Sequence, residues 1–168
     1  MFGLRSAALA AGLVVASFAA VAAAADAVPR VAFYGFQLIN TSLEPTSDAE
    51  KQRIRDLDEM FRTKVGESGR FTIVAIPADV QAEIDGGPGI GNCNGCERDY
   101  TQRAGAALAA WGTVQKVSNL ILNLNVYMED VETGQMTFVR SVDIRGNTDE
   151  SWHHGLSYLL RHYLFGEP

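Results

Sequence analysis

The spacing of hydrophobic and polar positions changes several times along the chain. Arg30–Phe36 is short, aromatic and β-branched, and predicts a buried first strand. Residues 37–46 read as a polar loop containing Pro45. The run Ser47-Asp-Ala-Glu50 is a capping box, in which serine and glutamate satisfy each other's orphan backbone donors. It opens a helix with Ile54, Leu57, Phe61 and Val65 on one stripe and Gly66 or Gly69 at its end. Phe71–Ile76 predicts a second strand closed by Pro77, and Ala78–Ile84 a short helix. The glycine-rich loop Gly86–Gly95 follows, then a helical piece over Glu97–Ala104 that Gly105 interrupts. Ala107–Val117 returns to strand and carries Trp111.

The plainest alternation runs over Asn119–Glu129. Leu120, Leu122, Leu124, Val126 and Met128 take one side, while Asn119, Ile121, Asn123, Asn125 and Tyr127 take the other. A period of two predicts a strand with one face buried and one wetter. Glu132-Thr133-Gly134 is a turn, and Met136–Arg145 returns as partner strand with Thr137, Ser141, Asp143 and Arg145 on alternate positions. Asn147–Asp149 can cap a last helix, in which Trp152, Leu156, Leu159, Leu160 and Tyr163 share about one third of the circumference. The order β-α-β-α-β-β-β-α predicts an α+β fold: a mixed, mainly antiparallel five-stranded sheet with helices on one face. The other face is expected to be open, at least in part.

Composition divides the chain in two. Residues 1–25 hold 20 apolar side chains, one base (Arg5) and no acid. A short basic start, the apolar run Ala7–Ala20 and small residues through Ala27 form the layout of a secretory signal peptide, with cleavage after Ala24, Ala25 or Ala27. The first cysteine is Cys93, which excludes lipid anchoring at the cleavage site. Residues 26–168 form one expected periplasmic domain carrying Lys+Arg 13 against Asp+Glu 20, a formal charge of −7. No second segment approaches the roughly 18 apolar residues of a membrane span. The acidic balance without a basic stripe argues against nucleic-acid binding.

Candidate chemistry is sparse. Cys93-Asn-Gly-Cys96 is the only cysteine pair; in an exported protein it reads as a disulfide. A redox-active pair and a metal site are the alternatives. Glu97 opposes a stabilised thiolate, and it stands where a c-type haem site needs histidine. No cofactor is expected. His153 and His154 point about 100° apart on a helix and suit exposed pairing with Asp149 and Glu150 better than chelation. Gly87-Pro-Gly89-Ile-Gly91 lacks the lysine of a phosphate loop and follows a helix. The strand face bearing Asn119, Asn123, Asn125 and Tyr127 stands out more, because asparagine is a poor strand former. With Arg145 it suits a binding surface.

Several stretches carry a resemblance. Val31-Ala-Phe-Tyr-Gly-Phe-Gln-Leu38, Ser68-Gly-Arg-Phe-Thr-Ile-Val74, Cys93-Asn-Gly-Cys-Glu97, Gly112–Asn125 and Ser141–Trp152 together resemble a family of small secreted bacterial proteins with a domain of unknown function. The layout of elements is more loosely similar to the amino-terminal domain of TolB and to domains of the curli-secretion and flagellar-assembly type. The Cys-x-x-Cys loop departs from that looser pattern. The resemblance implies a non-catalytic periplasmic accessory or protein-interaction module, with a periplasmic protein as partner. It also implies an association with periplasmic quinoprotein alcohol-oxidation systems. Asn123, Asn125, Tyr127 and Arg145 are the expected partner-binding residues. A thiol–disulfide or electron-transfer accessory using Cys93 and Cys96 is the second reading. A small-ligand or metal carrier using the glycine loop and His153/His154 is the third.

Overall fold

The computed structural model describes residues 28–166. The expected leader over residues 1–25, with its cleavage sites through Ala27, lies outside the described residues. One sheet of five strands has the order β2-β1-β3-β4-β5. β1 (Arg30–Asn40) lies between β2 (Thr72–Val74) and β3 (Leu108–Ser118) and is parallel to both. β3, β4 (Ile121–Asp130) and β5 (Met136–Ile144) continue as an antiparallel meander. Parallel neighbours need crossover connections. These are supplied by α1 (Asp48–Glu67), then by α2 (Ala78–Gly86) and α3 (Cys96–Arg103). α4 (Asp149–Leu159) follows β5 and runs into a π-helical turn over Leu160–Leu164.

The fold is therefore the expected mixed α+β sheet, and the two helical pieces expected over Ala78–Ile84 and Glu97–Ala104 are the separate helices α2 and α3, which the order β-α-β-α-β-β-β-α counts as one. Placing all helices on one face holds for α1 and α4. Their residues Leu57, Phe61, Val65, Trp152, Leu156 and Leu159 pack on Val31, Phe33, Val114, Leu124 and Val126 in the main core. The helices α2 and α3 pack on the opposite face, where Ile84, Ile90, Cys96 and Tyr100 meet Ala109, Trp111 and Tyr127. The physical reason lies in β3: Ala109 and Trp111 alternate with Ala110 and Val114, so both faces near its start are apolar and both need cover.

Several local expectations shift for identifiable reasons. β1 extends to Asn40 through what reads as a loop, because the pairing slips between Phe33 and Phe36 and a bulge absorbs Tyr34 and Gly35. The freed Phe36 N–H is accepted by Asp58 Oδ1 of α1 at 2.6 Å. Asn119 and Leu120 form the β3–β4 turn instead of strand, leaving Leu120 exposed. The i→i+5 bonding of the π turn rotates Tyr163 out of the apolar stripe and brings Phe165 into the core.

The cap of α1 is bonded as expected: Ser47 N donates to Glu50 Oε2 at 2.7 Å and Glu50 N to Ser47 Oγ at 3.2 Å. Glu50 does a second job. It reaches Lys116 Nζ at 2.6 Å, with both side chains withdrawn from water. Asn147 Nδ2 donates to the same carboxylate at 2.7 Å, and Asn147 Oδ1 accepts from Trp152 Nε1 and Arg53 Nη1. This polar knot ties α1, β3 and the start of α4 at one end of the core.

Candidate functional site

The second sheet face has a covered half and an uncovered half. The cover is built from the α2–α3 connection. Cys93 and Cys96 are joined as a disulfide with Cα atoms 5.5 Å apart, closing the loop against the first turn of α3. Glu97, the next residue, is buried and accepts the Gly91 N–H at 2.6 Å. Gln37 Nε2 of β1 donates to Ile90 O at 3.3 Å. Tyr34 bonds Thr101 of α3 at 2.7 Å, and burial pushes its phenol up to about 12. Arg98 bridges from α3 to the mostly buried Glu129 of β4 at 3.3 Å. The Tyr34 and Arg98 contacts thus hold α3 on the sheet, the Glu97 bond and the disulfide clip the glycine loop to α3, and Gln37 ties the loop to β1.

Beyond the loop, strand register arranges side chains in rows across four strands. The innermost row is Trp111, Tyr127 and Val139, with the first two rings stacked at 5.4 Å between centroids. The next is Gln37, Thr113, Asn125 and Ser141, and the third Ile39, Gln115, Asn123 and Asp143. Val117 and Ile121, both exposed, stand at the outer end beside the β3–β4 turn. Asp143 is the one formal charge in these rows. Asn125 Nδ2 donates to Thr113 Oγ1 at 3.1 Å, and Asn123 is held by Asp143 (3.1 Å) and Ser141 (2.8 Å). The amides are fixed by neighbours, so the surface is set in advance of any contact.

The structure thus gathers Asn123, Asn125 and Tyr127 on one face, though Asn125 is largely buried and presents little of itself. Arg145 is not in these rows. It is exposed just past the end of β5, in an open groove of about 710 Å³ that Asp143, Glu150, His154 and Tyr158 also line. Asp143 connects the two places. Asn119, in the turn, donates to Glu44 at 2.6 Å and accepts from Asn147 at 2.9 Å, so it belongs to the polar knot. His153 and His154 are exposed on α4, against the opposite face from the glycine loop, and the structure does not bring the two features together. Among the described residues one trio of ligand-type side chains lies close together: Cys93, Cys96 and Glu97. Its two sulfurs are bonded to each other and its carboxylate to Gly91, so in this state it offers no thiolate to a metal.

Sequence reasoning missed Gln37, Thr113 and Gln115. The signal was present, since Trp111, Thr113, Gln115 and Val117 alternate with Ala110, Gly112, Val114 and Lys116. The loop assigned to residues 37–46 concealed the β1 contribution.

A family model described as a protein of unknown function (DUF3280; DUF2380) matches residues 29–164. The chain belongs to this family. Its match spans every element of the domain, the glycine loop and the uncovered face included. Among curated proteins none matches the chain. Among solved structures the family member is similar to the LpoB C-terminal domain from Salmonella enterica, at 14% identity and TM-score 0.50 over 71% of this chain and 84% of that one. The LpoB C-terminal domain from Escherichia coli gives 13% and 0.50 over 70% and 82%. TolB from Acinetobacter baumannii gives 18% and 0.44 over 85% of this chain and 30% of that one. At such identities the LpoB likeness is one of fold. Among the described residues no helix is long and apolar enough to cross a membrane.

Proposed function

We propose that this protein is a non-catalytic periplasmic accessory module that binds a partner protein on the uncovered half of its second sheet face. One observation carries the reading: among the described residues, two rows rich in amides and hydroxyls, with Asn123, Asn125 and Gln37 already bonded to neighbours and Ile39, Val117 and Ile121 exposed, lie uncovered beside the unpaired edge of β5. Interface centres are depleted of formal charge, and Asp143 is the one formal charge in these rows. Asn123 and Tyr127 would meet the partner on the face, Asn125 would hold Thr113 in place, and Arg145 would reach it around the β5 edge. The leader pattern supports export, and the family resemblance supports a periplasmic setting. A place beside a quinoprotein alcohol-oxidation system is the finer form of the proposal, and it rests on that resemblance alone.

The clipped glycine loop favours a structural disulfide over a redox one. The carboxylate of its neighbour Glu97 lies beside both sulfurs and accepts the Gly91 N–H. Affinity capture from an envelope extract tests the module. The Gln115→Lys/Asn123→Lys double variant, with circular dichroism showing it folded, should lose a partner that the wild type retains. Equal recovery by both would reject this face.

A further inference from the structure

At the inner end of the uncovered face, the glycine loop and the sheet enclose a cleft of about 270 Å³. It lies at the small end of ligand pockets, a size suited to a single ring. We propose that this cleft binds the ring of a neutral sugar. Trp111 supplies the first reason. Trp111 is 8% exposed and lines the cleft, and among the described residues no acceptor takes its indole Nε1–H. The N–H faces solvent through the cleft, so the cleft is where a ligand oxygen could replace water as its acceptor. The second reason is Gly91, whose φ is +81° and whose absent Cβ would stand 3.1 Å from that nitrogen. Glycine keeps the approach to the indole open.

The class of ligand follows from the remaining walls. No Asp, Glu, Lys or Arg lines the cleft, so a phosphate, carboxylate or amine would be stripped of water without a countercharge. Gln115 and Asn92 present exposed amides, each able to donate and accept at once. Ile90, Ile39 and Tyr127 provide apolar wall. A pyranose has this same division, with C–H faces for the apolar wall and ring hydroxyls at the edge for paired amides and an indole N–H. The ring could come from a free sugar or from the end of a glycan chain. The inference goes beyond the partner-binding role: the cleft shares Ile39, Gln115 and Tyr127 with the proposed docking face but uses neither Asn123 nor Arg145.

The test is a heteronuclear NMR titration of the folded protein. The chain has two tryptophans and hence two indole cross-peaks, which Trp111→Phe assigns. Trp152 Nε1 is bonded to Asn147 in the core and serves as internal reference. Glucose, galactose, mannose and N-acetylglucosamine should shift the Trp111 peak saturably, at about millimolar affinity for at least one of them, and leave the Trp152 peak in place. Glucuronate and glucosamine should bind at least tenfold more weakly. Gln115→Ala, an exposed change that the fold tolerates, should weaken binding about tenfold. Tighter binding of N-acetylglucosamine tetramer than of the monomer supports a glycan chain end as the source, and equal binding supports free sugar. No saturable shift with any neutral sugar, or an equal shift with N-methylacetamide, overturns the proposal. Either outcome leaves partner capture to be judged separately.

Discussion

Replacing Lys116 with methionine removes the one cation sealed inside the polar knot. Lys116 Nζ lies 2.6 Å from Glu50 Oε1, and the two side chains are 2% and 1% exposed. Burial by itself pushes the Glu50 carboxyl up. Hydrogen bonds from Lys116, the Ser47 backbone and Asn147 outweigh it and hold the group down at about 2. Methionine keeps the aliphatic stem but leaves the carboxylate buried without its cation, which costs about 3–5 kcal/mol. For a domain of this size the melting temperature should fall by roughly 10–20 °C. The pH dependence has a fixed sign. A carboxylate whose folded pKa lies below its usual 4.5 stabilises the fold fully above that value and loses the contribution as pH falls towards 2. Wild type should lose about 3 kcal/mol through this group across that window. Glu50→Gln keeps an acceptor for the cap but should lack this part of the slope. Lys116 is held above its ordinary range by Glu50, so its own contribution disappears only on the alkaline side. Urea unfolding at pH 7, 4 and 3 reads all three proteins. A Lys116→Met variant within 1 kcal/mol of wild type at pH 7, or a Glu50→Gln variant with the full wild-type slope, would refute the reasoning.

Three further outcomes are expected. A Cβ at Gly112 would overlap the ring of Phe36 within the main core, so Gly112→Ala should cost about 3 kcal/mol or more, read by the same urea titration. Asp58→Ala leaves the Phe36 N–H of the bulge without its acceptor and should cost about 1–3 kcal/mol, whereas Asp58→Asn retains an oxygen there and should cost less than about 1 kcal/mol. Because the disulfide closes so small a ring, Cys93→Ser/Cys96→Ser should lose about 2 kcal/mol at most and still capture the partner; loss of capture with the fold intact would point back to a functional thiol pair.

Much of the domain was legible because its signals are local. The capping box at Ser47 and Glu50, the stripe Leu57-Phe61-Val65 and the alternation through β4 each act within one element. What was not legible depends on distant pairing. The bulge at Gly35 frees the Phe36 N–H, which Asp58 of distant α1 accepts. The ion pair of Lys116 joins residues far apart in sequence, and nothing around Lys116 separates it from an exposed strand lysine. Asn119 reads as a face residue until the turn claims it. The face itself was half visible: Asn123 and Tyr127 follow from period two, while Gln37, Thr113 and Gln115 needed the strand order, and Arg145 lay one residue beyond the strand that would have placed it there.

Photo-crosslinking in intact cells tests the binding face most directly. A benzoylphenylalanine at position 123 on the uncovered face should yield a discrete adduct with one envelope protein. The same residue at position 59, on the exposed side of α1, should yield none. Adducts of equal yield from both positions, or adducts from position 59 alone, would contradict a partner on this sheet face.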